Sequence, residues 1–212
     1  MIFSTGKLPF ERGETLKGVD SDGSTLINTD KVGQIYQMSD VKMTGNQRGQ
    51  KALRSNSPIF AVVCRNVSGI ALLGKRLGSF ERDTSNIYDF SGNVDGYTTA
   101  LRRQGVVAID EHLPSAGVAA NDLFWGIIYG HAILLTANAG ADFPEDIAAH
   151  SQLVAGTGDG STTSLAGRIA SLTLSTATQA MQNSIIGWAL TAKTTQATGA
   201  EVMVRMSLGF RQ

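Results

Sequence analysis

Asp122–Thr136 reads DLFWGIIYGHAILLT, and this stretch decides the fold. It is the most apolar part of the chain, broken only by Gly126 and Gly130. A helix crossing a bilayer needs roughly 20 apolar residues, so the run is too short to span one. At period two, Leu123, Trp125, Ile127 and Tyr129 share one face, and Phe124, Gly126 and Ile128 the other. β-Branched and aromatic residues with interior glycines fit a central strand better than a helix. Gly130 and His131 then predict a bend or tight turn before a second strand, Ala132 to Thr136. This pair is the expected heart of a β core.

The rest of the composition agrees. Gly is frequent at 24 residues and Pro scarce at 4 among the 212. With abundant Thr, Ser and Ala this favours strands and turns over a helical bundle. Lys plus Arg and Asp plus Glu are equal at 18 each, and charged residues make up 17% of the chain, where about 25% is typical. No basic stripe is present, which excludes the electrostatic footprint of a nucleic-acid binder. A weakly charged surface suits a protein that spends its life assembled. The single Cys64 has no partner for an internal disulfide, and the N-terminus MIFSTGKLPFERG lacks a secretory h-region, so folding in a reducing cytoplasm is expected.

Residues 1–33 show no sustained periodicity and read as an extended N-terminal arm ahead of a β-rich domain over 34–212, which divides further into 34–117 and 118–212. The DSDG at Asp20–Gly23 lacks the glycine and glutamate spacing of an EF-hand and reads as a solvated turn. Gln34–Met38 and Pro58–Cys64 are expected strands, the second forming a hairpin with Ile70–Leu73 across Arg65–Gly69. Between them, Thr44–Ser57 is polar and locally basic, a surface loop carrying Arg48, Lys51 and Arg54. Ser79–Gly96 is a second expected loop, with Phe80, Tyr88 and Phe90, and Tyr97–Arg103 a short helix. Gly105–Asp110, a strand ending at LVAG (Leu153–Gly156), and Ser184–Leu190 follow, while Leu165–Leu174 fits helix and strand equally. The cleanest alternation closes the chain: Val202, Val204, Met206, Leu208 and Phe210 on one face, Glu201, Met203, Arg205 and Ser207 on the other. The expected class is mainly β, a small β-barrel or β-sandwich with long loops.

Chemistry-bearing motifs are few. Gly156–Ser161 has the look of a phosphate loop without its lysine. His112, His131 and His150 share no ligand spacing, so no metal site and no cofactor are expected. Asp110 and His112 share a strand face and would be the only acid–base pair, with a solvated strand end the simpler reading. His131 reads as a hydrogen-bonded structural residue and Cys64 as an inert buried thiol. Trp125, Tyr129 and Trp188 sit on expected core faces, where packing is the default. Asn66-Val67-Ser68 is a formal sequon without consequence in a chain lacking a signal peptide.

Four segments together resemble the capsid decoration, or cement, proteins of tailed bacteriophages: Asp122–Ala132 ending in Gly-x-Ala, LVAG within Gln152–Gly156, IIGWAL at Ile185–Leu190, and EVMVRM at Glu201–Met206. Val62–Leu77 (VVCRNVSGIALLGKRL) is similar to phage head structural proteins. The resemblance implies a non-catalytic β body, a homotrimer on the outside of the capsid, made in the host cytoplasm and bridging subunits of the major capsid protein. It implies neither a nucleic-acid nor a membrane partner. Under it, Phe3, Leu8, Phe10, Leu16 and Leu26 are candidate arm contacts, and Arg48, Lys51, Arg54, Phe80, Tyr88 and Phe90 candidate loop contacts. A fibre, spike or host-attachment protein binding surface glycans is the alternative, and a hydrolase using Asp110 and His112 a third.

Overall fold

Eleven strands make up the computed structural model, which describes residues 3–4, 7–43, 51–80, 92–97, 105–137, 146–155, 167–172, 185–193 and 199–207. The first three are β1 (Phe3–Ser4), β2 (Ile35–Met43) and the long β3 (Lys51–Asn66). Three short ones follow: β4 (Leu77–Phe80), β5 (Asn93–Tyr97) and β6 (Val106–Ile109). Then come β7 (Leu123–Leu135), β8 (Gln152–Ala155), β9 (Ile169–Ser171), β10 (Gly187–Ala189) and β11 (Glu201–Met206). A single 3-10 turn, Thr29–Lys31, is the only helical element among the described residues. The fold is mainly β.

Pairing closes a ring. β3 pairs with β5, β5 with β4, β4 with β6, β6 with β7, and β7 back with β3. Alternate residues of these strands fill the interior: Val62 and Cys64, Val94, Val107 and Ile109, Phe124 and Ile128. Gly126 points there too, where a Cβ would come within 2.7 Å of Cys64 Sγ and 2.9 Å of Val107. Small barrels are filled by side chains in this way.

The other face of β3 and β7 carries Ala61, Val63, Leu123 and Trp125, and residues 7–33 cover it. Phe10 stacks on Trp125 at 4.6 Å between ring centroids, Trp125 Nε1 donates to the Phe10 carbonyl at 3.3 Å, and Leu16 exchanges backbone hydrogen bonds with Leu123. Beyond Gly130, β7 leaves β3 and pairs with β11, which continues to β10, β8 and β9. This second sheet closes a separate apolar core of Ile127, Leu134, Leu153, Ala189, Val202, Val204 and Met206.

The expectation of a mainly β, barrel-or-sandwich fold holds, and several local ones are corrected. Gly130–His131 is a kink within one continuous strand, since Gly130 at φ +96° bends β7 without ending its pairing. Residues 51–57 belong to β3 and pair with β2, so Lys51 and Arg54 lie in a strand; polar composition there reflects a sheet edge and an ionic site, not a loop. The 58–73 hairpin does not form, because Leu72 bonds to Val118 and β3 is flanked by β2, β5 and β7. Phe80 falls in β4 and Phe3 in β1. Residues 7–33 pack on the body instead of extending from it. Nor do 34–117 and 118–212 separate, since β7 pairs with β3 and β6. Trp188, expected inside, is 41% exposed, while Gly187 and Ala189 of the same strand are buried. Arg48, Tyr88, Phe90 and the glycine-rich 156–164 segment lie outside the described residues, as does the expected Tyr97–Arg103 helix apart from Tyr97, which ends β5. No described helix is long and apolar enough to cross a membrane.

Candidate functional site

Where β3 and β7 part, the wedge between them is filled with charge. β7 loses its β3 partner after Tyr129, and the backbone groups released there must be satisfied by other means. Arg54 Nη2 donates to the His131 carbonyl at 3.3 Å, and the Ile133 N–H donates to Glu111 Oε2. Two charged side chains thus replace a missing strand. Bringing them inside requires compensation, and the site supplies it.

Arg54 is the centre. Its Nε and Nη2 lie 2.8 and 2.7 Å from Asp40 Oδ1, and Nη1 donates to Glu111 Oε1 at 2.6 Å. Asp40 is fully buried. Its other oxygen accepts from Ser55 Oγ and from His131 Nδ1, both at 2.7 Å, so every lone-pair direction of the carboxylate is used. Burial pushes this carboxyl up, and the hydrogen bonds from Arg54, Ser55 and His131 with the Arg54 charge outweigh it, leaving the group below its ordinary value.

Next to it, buried Asp110 receives Arg12 Nη2 at 2.6 Å, the Gly13 N–H at 2.8 Å and the His112 N–H at 3.3 Å. His112 Nε2 donates to the Val41 carbonyl at 3.1 Å and lies 3.4 Å from Glu111 Oε1. Burial, then the charge of Arg12, lowers the His112 pKa, which keeps the ring neutral at pH 7 against the opposing pull of Asp110 and Glu111. Arg12 and Arg54 therefore tie the covering segment, β2, β3, the β6–β7 connection and β7 into one cluster.

Ser55, His131 and Asp40 invite comparison with a serine triad. In that arrangement the acid holds one imidazole nitrogen and the other takes the serine proton. Here both Asp40 Oδ2 and Ser55 Oγ, the latter at 3.2 Å, approach the same Nδ1. Carboxylates only accept, so Nδ1 carries the hydrogen and has no lone pair for Ser55. The hydroxyl donates to Asp40 and accepts from the Ser57 N–H at 3.1 Å. The geometry is a lock, not a relay.

The sequence-derived residues scatter around this lock. Asp110 and His112 meet through the His112 backbone, and the expected solvated strand end is instead buried. His131 has the structural hydrogen bonds expected of it. Cys64 is fully buried, which pushes its thiol pKa up and keeps it protonated. Phe10, Leu8 and Leu16 pack on the barrel, while Leu26 is half exposed. Of the loop candidates, Arg54 is spent internally. The sequence reading missed Asp40, Ser55 and Arg12. A signal existed for Asp40, because in IYQMSDVKM it shares period-two phase with Tyr36 and Met38 and so falls on the buried face.

Asp20–Gly23 is a turn within a small hairpin, with Asp22 Oδ1 accepting from the Ser24 and Thr25 N–H groups. Among the described residues no group of three or more His, Cys, Asp and Glu is placed to hold a metal ion. On the second sheet, Trp188 stands between Arg205 and Gln152 on neighbouring strands, and Arg205 Nη2 reaches Tyr129 Oη at 3.4 Å. Compared with known proteins, the chain matches no family model, no curated protein and no solved structure.

Proposed function

We propose that the chain is a non-catalytic virion structural protein, a decoration or cement protein that binds the outer surface of the major capsid protein lattice as a homotrimer and stabilises the phage head. One observation supports this reading above the others. Three of the four segments that carry the resemblance lie side by side with β7, in the order β7-β11-β10-β8. Likeness gathered in one contiguous sheet is likeness of a structural unit. The physical logic is multivalency, in which modest contacts per subunit become tight when a trimer engages several capsomers together. The test is purification and mixing with expanded capsids. Co-sedimentation, a raised capsid melting temperature and density at three-fold positions in electron micrographs are expected; a monomer indifferent to capsids would sink the reading.

A second reading, attachment to surface glycans, draws on Trp188. An exposed indole flanked by a guanidinium and an amide offers a stacking surface with hydrogen-bond donors on both sides. Glycan-array binding lost in Trp188→Ala would favour it, and no binding by the parent protein would remove it.

A further inference from the structure

β2 is paired along its full length on one side only, with β3. On the other side β1 covers just Ile35 and Tyr36, and among the described residues no strand continues that pairing past Tyr36. Pro58, opposite Ser39, has no N–H to give, which places Ser39 at a non-bonded position of the ladder. Gln37, two residues earlier, has the same orientation. The N–H and C=O of both therefore point away from β3. Val41 is next in this series, and its carbonyl is taken by His112.

A groove of about 630 Å³ runs along this edge, between Gln37–Val41 and residues 7–14. A strand residue occupies about 160 Å³, from a rise of about 3.3 Å, a strand spacing of about 4.8 Å and a sheet spacing of about 10 Å. The groove thus holds about four residues of an added strand, the length of the open edge. Its opposite wall is residues 7–14, with Arg12 held there by its ion pair with Asp110. The β2 wall offers the outward backbone groups of Gln37 and Ser39, and an extended peptide lying in the groove pairs with them.

We infer that the edge of β2 at Gln37–Ser39 is a docking slot for an extended segment of a partner protein, which adds as a strand between β2 and Arg12. Strand addition of this kind draws its affinity from main-chain hydrogen bonds. On the proposed function, which supplies the partner, the occupant is a segment of the capsid protein. The inward alternate residues Tyr36 and Met38 are bonded to β3 already, so they serve as internal references.

Backbone hydrogen exchange resolved to single residues tests the slot, in the free chain and on capsids to which it co-sediments. In the free chain, Gln37 and Ser39 exchange at least about tenfold faster than Tyr36 and Met38, and on capsids they slow by at least about tenfold. Slow exchange in the free chain overturns the inference, because the edge is then already covered. Co-sedimentation without protection also overturns it and leaves the decoration reading standing. Failure to co-sediment sinks the decoration reading and its capsid strand together. Ser39→Pro removes an outward N–H that the fold does not use, so it keeps the melting temperature and weakens capsid binding at least about tenfold. Should that variant unfold, the exchange comparison on the parent chain decides alone.

Discussion

The two halves of β7 are one strand in two environments. From Leu123 to Ile128 every residue is buried: Phe124, Gly126 and Ile128 face the barrel interior, Leu123 and Trp125 lie beneath the covering segment, and Ile127 joins the second core. From Gly130 to Leu135 the pattern alternates, with Ala132 and Leu134 inward and His131, Ile133 and Leu135 only partly buried. A strand buried on both faces reads as a continuous apolar run, and one half-solvated reads as alternation. Trp125 and Trp188 show the same contrast in single residues, one stacked under Phe10 and the other open. Covering by a distant segment, not local sequence, makes the difference.

Breaking each half separately should separate their energetics. Phe124→Ala empties the barrel interior and is expected to cost about 3–5 kcal/mol in urea unfolding. Leu134→Ala in the second half is expected to cost about 2–5 kcal/mol, depending on how far the core collapses into the void. Arg54→Met, at the junction, strands Asp40 and Glu111 without their cation and is expected to cost about 3–5 kcal/mol at pH 7. Its penalty should shrink in acid, where Asp40 can protonate, while that of Leu134→Ala persists. Gly130→Ala is expected to cost about 1–3 kcal/mol, because φ is +96° and the new Cβ would lie 2.7 Å from the Pro58 carbonyl oxygen. The exposed pair Lys75–Glu201 should matter least, with Glu201→Gln changing stability by less than about 1 kcal/mol.

Acidification sharpens the contrast further. His112 has a folded pKa below its ordinary 6.5, so the unfolded chain binds its proton first and stability falls as pH drops below about that value. Asp40 is also depressed, so its contribution is present above 3.8 and is lost as pH falls through its folded pKa. Both act in the same direction. Thermal unfolding followed from pH 7 to 3 should show a shallow loss, then a steeper one, and His112→Gln should remove the shallow part.

Much of the fold was legible because burial leaves periodic marks. Val202, Val204 and Met206 alternate in the sequence and all three are fully buried, and the LFWGII run announces burial on two faces. What could not be read was pairing between distant segments. Nothing in TGNQRGQKALRSNS says that Arg54 will meet Asp40 and Glu111, because an ion pair has no period. The open edge of β2 was equally hidden, since a strand reads the same with one neighbour or two. Gly130 was read as punctuation where it is a kink; both need positive φ, and only the partner strands distinguish them.

The contact between Phe10 and Trp125 has a consequence for synthesis. The two residues are separated by 115 positions. At roughly 5–20 residues per second, Phe10 is made roughly 6–23 s before its partner exists. Throughout that interval Phe10 has no indole to stack on, and Arg12 no Asp110 to neutralise. The segment that finally seals the barrel is the one that waits longest for it, and during that wait a nascent chain of this protein is most open to chaperones or to its neighbours on the same message.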